Sequence, residues 1–532
     1  MGDQDDSLAA GRARVEALRT ALEAIEGAPV RLIETHISWV LLAGHSAYKL
    51  KKPVRLPFLD FTTLAARRHG CEEELRLNRR LAPGLYLEVV ELRDGPSGPG
   101  FGGRGALLDV AVHMRRFPDG ALWSERLAAA TLTAAHIDAF AGRLSAFHRG
   151  AAIAPADGVF GSAAVHERVT GGLVTGIDAW QAGLSNPDPG WPGLRAWLRA
   201  GLGRLAPFWP ARLRAGRVRE CHGDLHLANV VQIGDEPTAF DGIEFDPELR
   251  WIDVLDDLAF LVMDLLAHGR RDFAFRMLDA YLQADGDYDG LPALRFFLVS
   301  RALVRSQVTA LVERQGGTVA AGCGADAYLR LACLLSRDGD ARLVITHGLP
   351  GSGKTFVSQR LLESVGAIRV RSDVERKRRF GLDRLQSSSG RVAGGIYLEA
   401  ATEATYARLL AVAQTALRAE WPTIVDAAFL RRGERAAFAT LAGAVAAPFS
   451  IVDCRAPMAL LRRRVAQRRA RADDASEADV DVLERLAASA EPLDEDERAW
   501  AIAADPEQPV EPDAIARAWL AAAPAAAGAA AA

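Results

Sequence analysis

One stretch of eight residues, GLPGSGKT from Gly348 to Thr355, constrains this chain more than any other. It carries G-x-x-x-x-G-K-[ST] at every fixed position, follows the apolar pattern LVITHG and runs into the helical pattern FVSQRLLE. A loop this poor in side chains lets backbone N–H groups converge on an anion at a helix N-terminus. The sequence beyond it alternates helix-period segments with IRVRSD, TIVDAAF and FSIVDC, the pattern of a parallel sheet covered by helices. In that setting Gly348, Pro350, Gly351, Ser352 and Gly353 shape a phosphate cradle, Lys354 reaches the β- and γ-phosphates, and Thr355 ligates Mg2+.

The chain is 532 residues long, too long for a single core, so a second module is expected before this one. Its 49% hydrophobic and 25% charged content excludes global disorder. From Pro29 to Lys52, VRLIETH, WVLLAG and AYKLKK read as three antiparallel strands, followed by a helix over Leu64 to Ala82. Two further strands, LYLEVVELR and ALLDVAVHMRRF, flank a glycine- and proline-rich hairpin loop from Asp94 to Gly105. Helical patterns then dominate from about Ala121 to Ser336, broken only by the pair NVVQIG and TAFDGIEF. This divides the chain into an N-terminal helix (1–28), a sheet lobe (29–117), a helical lobe (118–336), a linker (337–342), an α/β module (343–522) and an Ala-rich tail (523–532).

A formal charge of -4 leaves no chain-wide basic field for nucleic acid or an anionic membrane. Five cysteines without a CxxC pair support neither a disulfide framework nor a zinc cluster. The acidic start lacks the features of a secretory signal, and no apolar run approaches the roughly 18 residues of a membrane span. A cytoplasmic location is expected.

HGDLHLAN, His222 to Asn229, keeps the H-x-D-x-x-x-x-N spacing of a kinase catalytic loop, and Asp241 in FDGIEF follows 17 residues after Asp224. The set has a chemistry: Asp224 accepts the proton of a substrate hydroxyl, while Asn229 and Asp241 hold the Mg2+ ions that bridge ATP phosphates. With the order of sheet lobe and helical lobe, residues from about Val30 to Leu335 resemble the aminoglycoside phosphotransferase and choline kinase-like family. The resemblance implies a strand lysine on the α- and β-phosphates, Lys49 with Lys51 as its rival on the same face. It also implies a helix glutamate paired with that lysine, Glu74 with Glu72 and Glu73 as alternatives. MRRF, Met114 to Phe117, falls where the lobe hinge should meet adenine. The hairpin ETHISW that should cover the phosphates contains no glycine, a departure from protein kinases. Among the acids of WIDVLDDLAFLVMDLL, Asp257 is a candidate support for the catalytic loop and Asp253 a candidate to face substrate. Asp253, Asp256, Asp257 and Asp264 otherwise read as a helix cap and surface acids.

Residues from about Leu343 to Trp519 resemble the small P-loop kinases, the group of gluconate kinase, polynucleotide kinase and zeta toxins. In RSDVERKRRF, Asp373 and Arg376 match their D-x-x-R motif, which implies a base at Asp373 and a phosphoryl- or substrate-binding cation at Arg376, against a helix cap and a solvated arginine. Asp426, which closes the apolar run in TIVDAAF, takes the position of a Walker-B-like acid that acts on Mg2+ through water. The cluster Arg462, Arg463, Arg464, Arg468, Arg469 and Arg471 corresponds to a lid closing over the phosphates, without distinguishing which arginine acts.

The fold expected is thus an α+β bilobal protein-kinase-like domain followed by an α/β P-loop NTPase domain with a parallel sheet. The combination resembles bacterial fusions of an aminoglycoside phosphotransferase-like domain with a P-loop kinase-like ATPase domain. It implies ATP and Mg2+ as cofactors and transfer of the γ-phosphoryl group to a hydroxyl of a small molecule such as a sugar, amino sugar or antibiotic. The alternatives are a nucleotide-binding regulatory module acting on its neighbour, or a polynucleotide or nucleotide kinase in the P-loop module.

Overall fold

The computed structural model describes residues 2–56, 59–96, 98–314, 322–337, 339–389, 396, 398–471, 474–504 and 512–523. The chain forms two compact units, Met1–Thr175 with Ala206–Leu261 and Val312–Gly322, and Gly176–Leu205 with Val262–Leu311 and Cys323–Ala532. The expected division at 337–342 follows motifs along the chain, and Asp338 within it lies outside the described residues. Spatial packing instead groups residues 262–311 with the parallel sheet, because the helix Arg271–Asp285 packs against the helix Lys354–Val365. Residues 524–532 of the expected tail and Ser97 of the expected hairpin loop are also outside the described set.

The first unit opens with the helix Gly2–Glu26 and the strands β1 (Arg31–Glu34), β2 (Ser38–Ala43) and β3 (Ser46–Lys51), in antiparallel register as the alternation predicts. A short hairpin, β4 (Arg55–Leu56) and β5 (Leu59–Asp60), leads to the helix Leu64–Asn78. Next come β6 (Tyr86–Arg93), β7 (Gly100–Phe101) and β8 (Leu107–Arg115), completing an antiparallel sheet of order β1-β2-β3-β8-β6-β7. Strand alternation sorts β3 in two. Leu50 joins Trp39, Leu41 and the N-terminal helix residues Val15, Leu18 and Leu22 in one core, which leaves Lys49 and Lys51 to the face carrying Glu74 of the helix Leu64–Asn78.

The helical lobe contains a sheet that the sequence pattern does not announce. β9 (Val218–Glu220) pairs antiparallel with β12 (Trp251–Asp253), and between them lies the hairpin of β10 (Val230–Ile233) and β11 (Glu236–Ala239). At three residues each, β9 and β12 are too short for a period to show. Asp253 therefore ends a strand, and the helix that follows spans Val254–Ala267.

In the second unit β13 (Leu343–His347), β14 (Ile368–Arg371), β15 (Thr423–Asp426), β16 (Phe449–Cys454) and β17 (Ala501–Ala504) form a parallel sheet of order β14-β15-β13-β16-β17. β14, β15 and β16 are buried along their whole length, as strands covered on both faces must be. The apolar run AIAA of β17 went unread because small residues carry little periodic signal. No helix of the described residues is long and apolar enough to cross a membrane.

Candidate functional site

The glycine loop sits between the end of β13 and the helix Lys354–Val365. Gly348 has φ 138°, and a Cβ there would lie 2.3 Å from the carbonyl oxygen of Cys454, so only glycine lets β13 turn so close to β16. Lys354 is half-buried and donates to the carbonyl oxygens of Gly348 and Leu349, both at 2.8 Å. Burial holds its pKa below the ordinary lysine value, with Asp426 and Asp373 pulling the other way. Ser352 Oγ is buried without a hydrogen-bond partner. An ammonium satisfied only by carbonyls, an orphaned hydroxyl and a loop a Cβ would fill fit a phosphate chain.

The loop lines a cavity of about 1020 Å³ together with Asp373, Arg376 and Asp426. Register places Arg371 of β14 opposite Asp426 of β15, and Asp426 Oδ2 accepts from Ser358 Oγ at 3.1 Å. The hydroxyl of Thr355 and the carboxylate of Asp426 are hard oxygen donors of the kind Mg2+ takes. Two alternatives read from the sequence are overturned here. Asp373 is not a helix cap, since the helix Ser372–Arg379 has Arg371 at its N-cap. Arg376 is not solvated: it is 5% exposed and donates to Thr402 Oγ1 at 3.0 Å.

The arginine-rich segment is the helix Met458–Arg471, whose turn geometry separates its members. Arg464 and Arg468 line the cavity, joined by Arg485 from the helix Val480–Ala488, which the sequence reading missed. Arg462 pairs with Glu484 at 2.9 Å, Arg469 with Asp479 at 3.5 Å, and Arg463 is exposed. The side chain of Arg471 lies outside the described residues. Thr402, Glu403, Tyr406, Arg431 and Glu434 also line the cavity. Burial raises the pKa of Glu434 above the ordinary value.

The first unit assembles a second cluster from four distant segments. Lys49 Nζ donates to Glu74 Oε1 at 2.9 Å and also pairs with Asp241. Lys51, fully buried, pairs with the other oxygen of Glu74 and with Glu244. Of the alternative glutamates, Glu72 is exposed and Glu73 pairs with Arg76 at 2.8 Å. Burial opposes the charge of Glu74, yet the two lysines hold its carboxyl down to about 2. Burial likewise opposes the charge of Lys49, but Asp241 and Glu74 keep its pKa well above the ordinary value.

Asn229 Nδ2 donates to the carbonyl oxygen of Asp224 at 2.9 Å and to its Oδ2 at 3.1 Å, which closes the catalytic-loop segment on itself. Asp241 has φ 62°, its N–H donates to Tyr86 Oη at 3.1 Å, and its side chain is 41% exposed. A non-glycine residue in that conformation carries strain of the sort found at functional sites. The carboxylate of Asp241 and the amide of Asn229 supply hard oxygens suited to Mg2+. Phe117 of the expected adenine hinge meets Phe240 edge-on at 5.3 Å.

The loop is anchored from behind by Asp257, which accepts from His222 N (3.1 Å), Gly223 N (2.8 Å) and His148 Nε2 (3.0 Å). Gly223 has φ 86°, and a Cβ would lie 2.7 Å from the carbonyl of Leu249. Despite burial, His148 and His222 keep the Asp257 carboxyl down to about 2. His148, Cys221 and Asp257 bring donor atoms within 4.8 Å of one another. The oxygens of Asp257 are spent on those hydrogen bonds, so the cluster serves the loop. The reading of the neighbouring acids as surface groups is wrong: Asp253, Asp256, Asp257 and Asp264 are all buried. Asp253 faces Arg212, with contacts of 2.6 and 2.7 Å, and caps Leu255 N at 2.9 Å, while Asp264 accepts from Tyr328 Oη at 2.7 Å. These aspartates pair inside the lobe because the helix Val254–Ala267 is buried from residue 254 to residue 265, where an unpaired carboxylate is costly.

A family model described as an AAA domain matches residues 343–493. Uncharacterized proteins of Mycobacterium tuberculosis H37Rv and Mycobacterium bovis are 30% identical over 473 residues, covering 86% of this chain and 89% of theirs. Among solved structures, a choline/ethanolamine kinase family protein from Mesorhizobium loti is similar at 15% identity, covering 60% of this chain and 92% of its own, with a TM-score of 0.35. A gluconokinase from Sinorhizobium meliloti is similar at 19% identity, covering 35% and 92%, with a TM-score of 0.25. The chain joins an N-terminal α+β region with an antiparallel sheet to a C-terminal α/β region with a parallel sheet, where the match to the AAA domain falls.

Proposed function

This chain belongs to the family of the Mycobacterium tuberculosis and Mycobacterium bovis proteins, and we propose that it is an ATP- and Mg2+-dependent phosphotransferase with two nucleotide sites. The observation that carries the proposal is the cavity of about 1020 Å³, which the glycine loop, Asp373, Arg376 and Asp426 line together. Bound there, ATP with Mg2+ supplies an activated γ-phosphoryl group. Lys354 and the loop N–H groups hold its phosphates, and Thr355 and Asp426 face the metal. Asp373 takes the proton of the acceptor hydroxyl, while Arg376 with Arg464 or Arg468 offsets charge that develops on the transferred group. The hydrogen-bonding side chains of Thr402, Glu403, Tyr406 and Glu434 in the cavity lining suit a small hydroxylated acceptor such as a sugar or amino sugar.

In the first unit Asp224 has the corresponding role, with Asn229 and Asp241 on the metal and Lys49 on the phosphates. The division of the chain at 337–342 belongs to this proposal as the boundary of two catalytic modules. The test is ATP consumption and phosphoryl transfer to a panel of sugars, amino sugars and antibiotics by the full chain, Asp224→Ala and Asp373→Ala. Each substitution is expected to remove transfer at its own site by about 10²–10⁴-fold. Unchanged rates in both variants reject the assignments.

One observation favours a second reading for the first unit, that of a nucleotide-binding regulator. Lys49, the group for phosphate, is paired with Asp241, the group for metal. ATP binding there without turnover, combined with altered turnover at the second site, distinguishes it.

A further inference from the structure

Arg371 has no part in the chemistry above, yet its side chain lies among the groups assigned to Mg2+. Its Nη2 is 3.4 Å from Thr355 Oγ1 and its Nε is 3.4 Å from Asp426 Oδ2. The same Nη2 lies 3.1 and 3.3 Å from the two oxygens of Asp474, which follows the arginine-rich helix and lines the cavity. Behind it, Nη1 is 3.4 Å from Gln283 Oε1, and Gln283 is itself tied to Asp279 at 2.6 Å. The guanidinium is thus buried and shared between two sets of oxygens, those of the metal and that of Asp474. Burial disfavours its charge, but Asp426 and Asp474 more than restore it, so it is a permanent cation.

We infer that Arg371 is a positioning residue that competes with Mg2+ for the oxygens of Thr355 and Asp426 and moves onto Asp474 when the metal binds. A dication at the oxygens of Thr355 and Asp426 repels the guanidinium that lies 3.4 Å from each and weakens its contact with them. Asp474 offers the displaced guanidinium a carboxylate already within reach, which links metal binding to the segment next to the arginine helix. Arg371 also gives the phosphates a cation when Mg2+ is scarce, so this site should bind ATP in its metal-free form. The inference rests on the reading of Gly348 to Thr355 as a nucleotide site.

The experiment is equilibrium titration of the full chain with a fluorescent ATP analogue, in EDTA and again with rising Mg2+. Only the binding abolished by Lys354→Met is scored, which removes any contribution from the first unit. Arg371→Gln is expected to weaken metal-free binding by about tenfold or more, the worth of a charged hydrogen bond, and to lower the Mg2+ concentration for half-saturation by a similar factor. Asp474→Asn, at a partly exposed position, should shift the guanidinium back toward the metal oxygens and raise that Mg2+ concentration about threefold. Unchanged constants in Arg371→Gln overturn the inference. Should that variant fail to fold, an unchanged Mg2+ requirement in Asp474→Asn overturns it equally. Absence of any Lys354-dependent binding in the wild type, with or without Mg2+, overturns the nucleotide reading itself and this inference with it.

Discussion

Two lysines, Lys49 and Lys354, to which the proposed function gives the phosphates, are held in opposite ways. Lys49 is paired with Glu74 and Asp241, and these carboxylates raise its pKa. Among the described residues, Lys354 donates to the carbonyl oxygens of its own loop, and burial lowers its pKa. The charge of Lys49 is offset by two carboxylates in direct contact, whereas that of Lys354 is acted on by Asp426 and Asp373 from a distance. A phosphate chain entering the second unit therefore meets a lysine that no carboxylate holds. In the first unit it must compete with Asp241 for its lysine.

The contrast extends to how each site is supported, and the largest expected effect tests that support. Asp257 accepts from the backbone N–H groups of His222 and Gly223 and from His148. Asp257→Ala removes these three hydrogen bonds from a buried place and should cost about 3–5 kcal/mol of stability, read by urea unfolding. The pH dependence has a definite sign. The carboxyl titrates at about 2 in the fold against an ordinary 3.8, so its contribution is present above about pH 4 and is lost as pH falls toward 2. Asp257→Asn should therefore lose about 2 kcal/mol less than wild type over that acid range.

Next in size comes the pair of lysines. Lys354→Met should lower nucleotide turnover at the second site by about 10²–10³-fold. Lys49→Met, which removes a charge already offset by two carboxylates, should weaken nucleotide binding at the first site by only about tenfold. Turnover assays measure the first and fluorescent-nucleotide titration the second, and losses of equal size would break the comparison. The smallest expected effect sharpens it within one helix. Arg464→Ala should slow turnover by about tenfold or more, because its guanidinium faces the cavity. Exposed Arg463→Ala should leave steady-state rates unchanged.

How much of each site could be read from sequence follows from how its parts are spaced. The phosphate loop is one contiguous segment, so its eight residues declare both its conformation and its chemistry. Asp224, Asn229 and Asp241 span 18 positions and were legible as a spaced motif. Glu74 could not be told from Glu72 or Glu73, because only the rotation of the helix Leu64–Asn78 against β3 selects one of them. The lid arginines posed the same difficulty, resolved by which turn of the helix Met458–Arg471 meets the cavity.

Local pattern by itself therefore determined the order of sheet, helices and parallel sheet, along with the glycine loop and the spaced acids, since each is encoded within a few residues of chain. Tertiary structure alone decided what lies across from them. It paired Lys51 with Glu244, buried the four aspartates thought to be on the surface, and set Arg371 against Thr355 and Asp426. Those contacts join residues separated by tens to hundreds of positions, and their charge states depend on burial. Both are properties of packing, and periodicity along a chain carries no record of them.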